Sequence, residues 1–245
     1  MSPSEKNKFI SNWIKSYVDQ MPVKAQSLVI GISGGIDSSV SSTLSAMTGM
    51  KTIVLTMPIR QKDNQHDLSL KHQEWLIKNF KNVEAHTINL DKLFESFSST
   101  LEKFDNEHGY ANSRARLRMT TLYQVAAANK GIVVGTGNKV EDFGVGFYTK
   151  YGDGGVDISP IADCNKTEVW ELGKELGILK EIIDAPPTDG LWDDGRTDEG
   201  QLGFKYGDLE DAMKNPNSPH RQEYEKIRKQ NLHKMEPIPV CKIPS

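Results

Sequence analysis

Between Gly31 and Ser39 the chain reads GISGGIDSS, after the apolar run Ser27-Leu28-Val29-Ile30 and before Val40-Ser41-Ser42-Thr43-Leu44. Glycines at a strand-to-helix turn let successive backbone N–H groups converge on an anion, and the helix that follows adds its positive end. Ser33 and Ser38 add hydroxyl donors, so a phosphate-sized group is the expected occupant. Asp37 would repel that group directly, and its natural role is to hold a divalent cation that bridges phosphate oxygens. A magnesium nucleotide satisfies both features.

Rival motifs fail on residues or on context. No lysine follows the glycines, as a P-loop requires, and G-x-G-x-x-G is matched neither here nor at Gly135-Thr136-Gly137-Asn138-Lys139-Val140. Gly31-Ile32-Ser33-Gly34-Gly35 does match G-x-S-x-G, the nucleophile elbow of serine hydrolases. Such an enzyme needs earlier strands to supply an oxyanion loop, and most of the residues before Ser33 read as a helix. An ordinary glycine turn accounts for one glycine but not for Ser-Gly-Gly-x-Asp-Ser together.

A turn of this kind must be carried by strands and helices. Ser27–Ile32, Thr52–Met57, Val83–Ile88 and Gly131–Thr136 are short apolar or β-branched runs, separated by helical stretches near 40–80, 90–103 and 112–129. Strands alternating with helices predict an α/β fold with a doubly wound, mainly parallel sheet flanked by helices, and ligands at the carboxyl ends of its strands. Ahead of them, Phe9, Ile10, Trp13, Ile14, Tyr17, Val18 and Met21 make one apolar stripe on a helix over 5–21. Residues 137–160 form a glycine-rich polar stretch with little periodicity, of the length that is usually functional. Asn165 and Glu168 read as a helix N-cap with its acidic partner. A second polar loop, 186–200, carries Asp189, Asp193, Asp194, Asp198 and Glu199, and one or both of these long loops are expected to close over a site. Helices near 200–215 and 220–234 precede a proline-punctuated tail.

The 245 residues fit a single domain, with net charge −3 and no basic block. That balance argues against a nucleic-acid partner and for small molecules. Cys164 and Cys241 have neither metal-site spacing nor disulfide density, which points to free thiols and the cytoplasm. No signal-like or membrane-spanning apolar run occurs.

Ser33-Gly34-Gly35-Ile36-Asp37-Ser38 resembles the pyrophosphate-binding loop of the N-type ATP pyrophosphatases. Further along come Ala115-Arg116-Leu117-Arg118-Met119, Gly135-Thr136 through Glu141, Phe147-Tyr148-Thr149-Lys150-Tyr151-Gly152-Asp153-Gly154-Gly155, Asp157, Lys166, Pro187-Thr188 and His233-Lys234. Their order over nearly the whole chain is similar to that of the ammonia-dependent NAD synthetases, whose fold is adenine nucleotide alpha hydrolase-like. The resemblance implies an ATP site at Gly31, Ile32, Ser33, Gly34, Gly35, Ile36, Asp37, Ser38, Thr136, Lys166 and Thr188, with Arg60 and Gln65 as further candidates on the ATP side. It implies Asp37 and Glu141 as Mg2+ ligands, and Arg116, Lys150, Asp157, His233 and Lys234 as contacts to deamido-NAD. On residue pattern alone, Arg116 and Arg118 equally suit a solvated basic face, and Lys150 and Asp153 a pair across a loop.

The activity so implied is amidation of deamido-NAD by ammonia, with ATP cleaved to AMP and pyrophosphate through an adenylated nicotinate. No protein nucleophile is required. One NAD synthetase domain over 1–245, without a glutaminase domain, and a homodimer are expected. Alternatives are amidation of nicotinate mononucleotide, a tRNA sulfur-transfer enzyme, and a non-catalytic adenine-nucleotide-binding module. Two departures stand out: Met235 replaces the arginine that often follows His-Lys, and Gly137-Asn138-Lys139-Val140-Glu141 differs from the Asp-His-Ala-Ala-Glu form of some members.

Overall fold

The structure is a computed structural model that describes residues 1–60, 63–188 and 197–244, with the side chains of 63–65 outside the description. Strands β1 (Ser27–Gly31), β2 (Lys51–Thr56), β3 (Val83–Thr87) and β4 (Gly131–Val133) form one parallel sheet in the order β3-β2-β1-β4. Helices α1 (Pro3–Gln20), α2 (Ile36–Met47), α3 (Asp63–Asn79), α4 (Asp91–Thr100) and α5 (Glu107–Ala128) precede or link them. A π-helical turn at Lys139–Val145 follows β4, then α6 (Lys166–Glu175), α7 (Lys180–Ile183), α8 (Asp198–Leu202), α9 (Tyr206–Lys214) and α10 (Arg221–Met235).

Both faces of the sheet are covered, which is why β1 and β2 read as continuous apolar runs. Side chains still alternate. Leu28 and Ile30 pack into one layer with Ile14, Val18, Val40, Leu44 and Leu172, while Val29 joins Ile53, Leu55, Phe94 and Val133 in the other. Each such side chain contributes roughly 1.5–3 kcal/mol by leaving water. β3 is the edge strand, and its Glu84 and His86 face outward as a hydrogen-bonded couple.

The structure refines several expectations. The helical stretch near 40–80 is two helices with β2 between them, and 200–215 is α8 and α9, broken at Gly203 where φ is +75°. The α1 stripe also divides. Ile10, Ile14 and Val18 are buried, whereas Phe9, Trp13 and Tyr17 remain exposed. The glycine-rich stretch is more ordered than its lack of period suggested: it holds the π-helical turn, and Ile158 bridges Val134 to extend the sheet past β4. Val140 and Val145 of that turn pack with Tyr206, Leu209 and Tyr224 in a third, smaller core.

Candidate active site

Chain order reverses at β1, which has β2 on one side and β4 on the other. Such a switch point opens a crevice at the strands' carboxyl ends. The glycine turn lies there, since β1 ends at Gly31 and Ile32 N–H donates to Leu55 O at 2.8 Å. Gly34 takes φ +88°, a backbone that a side chain would strain. The turn is held by its own serines: Ser33 N–H donates to Ser38 Oγ at 3.2 Å, Gly35 N–H to Ser33 Oγ at 3.2 Å, and Ser38 Oγ to Gly35 O at 3.0 Å. Gly35 caps α2 without a side chain, which leaves the helix's positive end to an anion.

Three charges meet beside this turn. Lys166 Nζ donates to Asp37 Oδ2 at 2.5 Å and to Glu141 Oε1 at 2.9 Å, with its side chain only 2% exposed. Asn138 aligns the pair: its amide nitrogen donates to Asp37 Oδ1 at 3.1 Å, and its carbonyl accepts Val140 and Glu141 N–H, each at 3.0 Å. The Tyr206 hydroxyl donates to Glu141 Oε1, and the Tyr206 ring lies 5.0 Å from the Lys166 ammonium. Burial opposes the lysine's charge, but the two carboxylates overcome it and hold the ammonium protonated well above the usual lysine range. Burial raises Asp37, helped by the negative Glu141; for Glu141 the lysine and tyrosine outweigh burial and keep it low.

Local sequence places Lys166 as the first residue of α6. Glu168 accepts Asn165 N–H at 2.8 Å, as the capping pattern predicts, and Lys6 ties the same carboxylate to α1 at 2.5 Å. Glu210 of α9 accepts both the N–H and the hydroxyl of Thr167, at 3.0 and 2.7 Å. Glu141 is fixed differently, by a ladder from α10. Arg228 donates to the carbonyls of Phe143 and Gly144, Asn231 to Val145 O at 2.9 Å, and Lys234 to Gly146 O at 2.8 Å and Tyr148 O at 2.9 Å. Residues 228, 231 and 234 recur on one helical face, so one stripe serves the carbonyls that the π-helical turn and its exit leave over.

The result is a cavity of about 380 Å³. Every residue from Gly31 to Ser38 lines it, with Thr136, Glu141, Lys166 and Thr188. The residues expected on the dinucleotide side do not. Arg116 donates to Lys150 O at 3.2 and 3.3 Å, and Lys150 Nζ to His233 O at 2.8 Å, so these form a chain along the rim next to Lys234. Asp157 holds the edge of β4, accepting Val133 N–H at 2.7 Å and the Tyr123 hydroxyl at 3.0 Å. Arg60 sits apart, at φ +48°, with its N–H on Asp91 Oδ1 at 2.6 Å. Asp189, Asp193 and Asp194 of the second polar loop, and the Gln65 side chain, lie outside the described residues.

Residues 7–243 match the family model for NAD synthase. The chain belongs to the NAD synthase family. It is 37% identical over 212 residues to the NH(3)-dependent NAD(+) synthetase of Carboxydothermus hydrogenoformans, covering 84% of this chain and 83% of that one. The enzyme of that name from Finegoldia magna is 36% identical, with 92% and 90% covered. Among solved structures, the NMN synthetase from Francisella tularensis superposes with a TM-score of 0.91 at 32% identity, covering 99% of this chain and 100% of that one. The NH3-dependent NAD synthetase from Campylobacter jejuni shares the fold at TM-score 0.79 and 23% identity.

For this NAD synthase family member, pattern reading missed several contributors. Arg118 lines the cavity, its Nε–H on Met57 O at 3.0 Å, whereas Arg116 two residues earlier turns to the rim. Asp142 and Asp153 also line it, and burial, with Asp153, Glu141 and Asp37 nearby, keeps the Asp142 carboxyl well above its usual range. Asn138 has a sequence signal, a side-chain acceptor two and three residues before the N–H groups it serves. Tyr206 has none, because its partner is 65 positions away.

Proposed function

We propose that this chain amidates the nicotinate carboxylate of deamido-NAD with ammonia, cleaving ATP to AMP and pyrophosphate. One observation carries the reading: Asp37 and Glu141 converge on the Lys166 ammonium in the cavity lined by a glycine turn suited to phosphate. The names of the relatives, NH(3)-dependent NAD(+) synthetase, support both the substrate and ammonia as nitrogen donor.

A carboxylate resists ammonia because its oxygen is a poor leaving group and its charge repels nucleophiles. In this reading the carboxylate attacks the α-phosphorus, pyrophosphate leaves into the Gly31–Ser38 turn, and ammonia then displaces AMP from the acyl adenylate. Lys166 and Arg118 offset the charge on the phosphates, and alignment rather than a protein nucleophile supplies the rate. Two carboxylates converging on one cation are a hard-oxygen donor set that suits Mg2+, with Asp37 and Glu141 as its ligands. When bound, Mg2+ would neutralise the departing pyrophosphate. Arg116, Lys150 and Lys234 give the rim a positive face for the substrate's phosphates, His233 lies beside them, and Asp157 supports it from the sheet edge.

A second reading rests on the NMN synthetase from Francisella tularensis, which matches end to end at the higher TM-score. In it, nicotinate mononucleotide is the amidated substrate. We also infer a cytoplasmic homodimer: both cysteines are unbonded, and exposed Phe9, Trp13 and Tyr17 give α1 an apolar outer face. Among the described residues no helix is long and apolar enough to cross a membrane.

The deciding experiment supplies Mg2+, ATP and ammonium with deamido-NAD in one reaction and nicotinate mononucleotide in another. Equimolar NAD, AMP and pyrophosphate is the expected result, and faster turnover of the mononucleotide would transfer the assignment to the second reading. ADP with phosphate, or bound AMP without turnover, would overturn both.

A further inference from the structure

We infer that Lys166 is a tethered counter-ion that closes the Asp37–Glu141 pair to a bare divalent cation and yields it only when nucleotide phosphates draw the ammonium away. The inference rests on the proposed role of those two carboxylates as metal ligands. The Lys166 ammonium occupies the point where a metal would take oxygens from both, 2.5 Å from Asp37 Oδ2 and 2.9 Å from Glu141 Oε1. A divalent cation arriving alone would meet that buried charge at contact distance, where little solvent screens the repulsion. Expelling the ammonium with nothing to receive it would leave an unpaired charge, which is costly.

Phosphate supplies the receiver. Lys166 and the Ser33–Ser38 turn line the same cavity, so the ammonium passes to a phosphate oxygen without leaving the pocket. Only the side chain has to move. The backbone of Lys166 is pinned by the Glu168 cap on Asn165 and by Glu210 on Thr167, while the lysine stem has four flexible carbons. The carboxylates keep their places meanwhile, because Asn138 holds the second oxygen of Asp37 and the Tyr206 hydroxyl holds Glu141. Tyr206 and Trp170 rings, at 5.0 and 5.9 Å, flank the ammonium on its apolar side and mark where it returns. Metal and nucleotide therefore enter together.

The first test measures Mn2+ binding without nucleotide, from the electron paramagnetic resonance signal of free Mn2+, in wild type and in Lys166→Met. The variant should bind at least about tenfold tighter, since it keeps both carboxylates and lacks the competing charge. Equal or weaker binding would overturn the inference. If the variant fails to fold, the wild type decides by NMR of 15Nζ-labelled lysine. Lys166 is the only lysine buried among the described residues, which sets its ammonium signal apart by slow exchange. That signal should persist with Mg2+ alone and move when Mg2+ is added with α,β-methylene-ATP. A shift with Mg2+ alone, or none with the pair, would overturn it. Neither readout uses product formation, so failure here is distinct from failure of the amidation assay.

Discussion

Acid should destabilise this protein through His72, a residue that does not line the cavity but packs against α2, the helix that carries Asp37. His72 is fully buried, with Nε2 3.0 Å from Ser42 Oγ and its ring stacked on Trp75 at 5.6 Å. Ser42 gives its one hydrogen to Ser39 O at 3.1 Å, so the imidazole is the donor in the pair, and Nδ1 has no partner. A second proton would land on Nδ1 in a dry interior. Burial accordingly pushes the His72 pKa down to about 4, with a contact to the Ser39 backbone opposing weakly. The unfolded chain takes up that proton near pH 6.5. Stability is therefore complete above about pH 6.5 and is lost as pH falls toward 4, since in that window only the unfolded state binds the proton. At about 1.4 kcal/mol per pKa unit the full loss is about 3 kcal/mol, of which about 2 kcal/mol has gone by pH 5. The assay is urea unfolding followed by far-ultraviolet circular dichroism at pH 7 and pH 5, on wild type and His72→Leu. Carboxylates such as Asp142 titrate in both proteins and cancel in the difference. Wild type should lose about 2 kcal/mol more than the variant between the two pH values. An equal loss in both would refute the assignment of a buried neutral imidazole.

Gly146→Ala should cost about 2–4 kcal/mol in urea unfolding, because φ is +70° there and an added Cβ would lie 2.5 Å from Asn231 Cβ; a loss below about 1 kcal/mol would mean that α10 gives way. Arg228→Leu removes the donor shared by the Phe143 and Gly144 carbonyls and should cost about 1–2 kcal/mol. Because the same turn carries Glu141, turnover of Arg228→Leu should fall with a rise in the KM for ATP, whereas unchanged kinetics would detach the ladder from the site. Asp37→Asn should keep the fold and lose about 100-fold or more in turnover with magnesium ATP, and full activity would remove Asp37 from the mechanism.

Much of this protein was legible in its sequence because the relevant physics is short-range. The glycine turn, the Asn165 cap and the apolar runs of β1 and β2 depend on residues within a few positions of each other, and each lies where the pattern placed it. The Ser-Gly-Gly-x-Asp-Ser pattern that carried the family resemblance rests on the same local spacing. Helix periodicity sees only one coordinate, however, so the α1 stripe was read as one face although Phe9, Trp13 and Tyr17 stand clear of the Ile10, Ile14 and Val18 that pack. The π-helical turn escaped prediction because the donors that satisfy its carbonyls come from α10, 84 to 86 positions later in chain order. Likewise Lys166 reaches Asp37 across 129 positions and Glu141 across 25, a meeting that exists because β4 lies next to β1. Residue types therefore determined which chemistry was on hand. Strand order decided which charges would share one buried point, because a low-dielectric cluster is stable only when its partners arrive together.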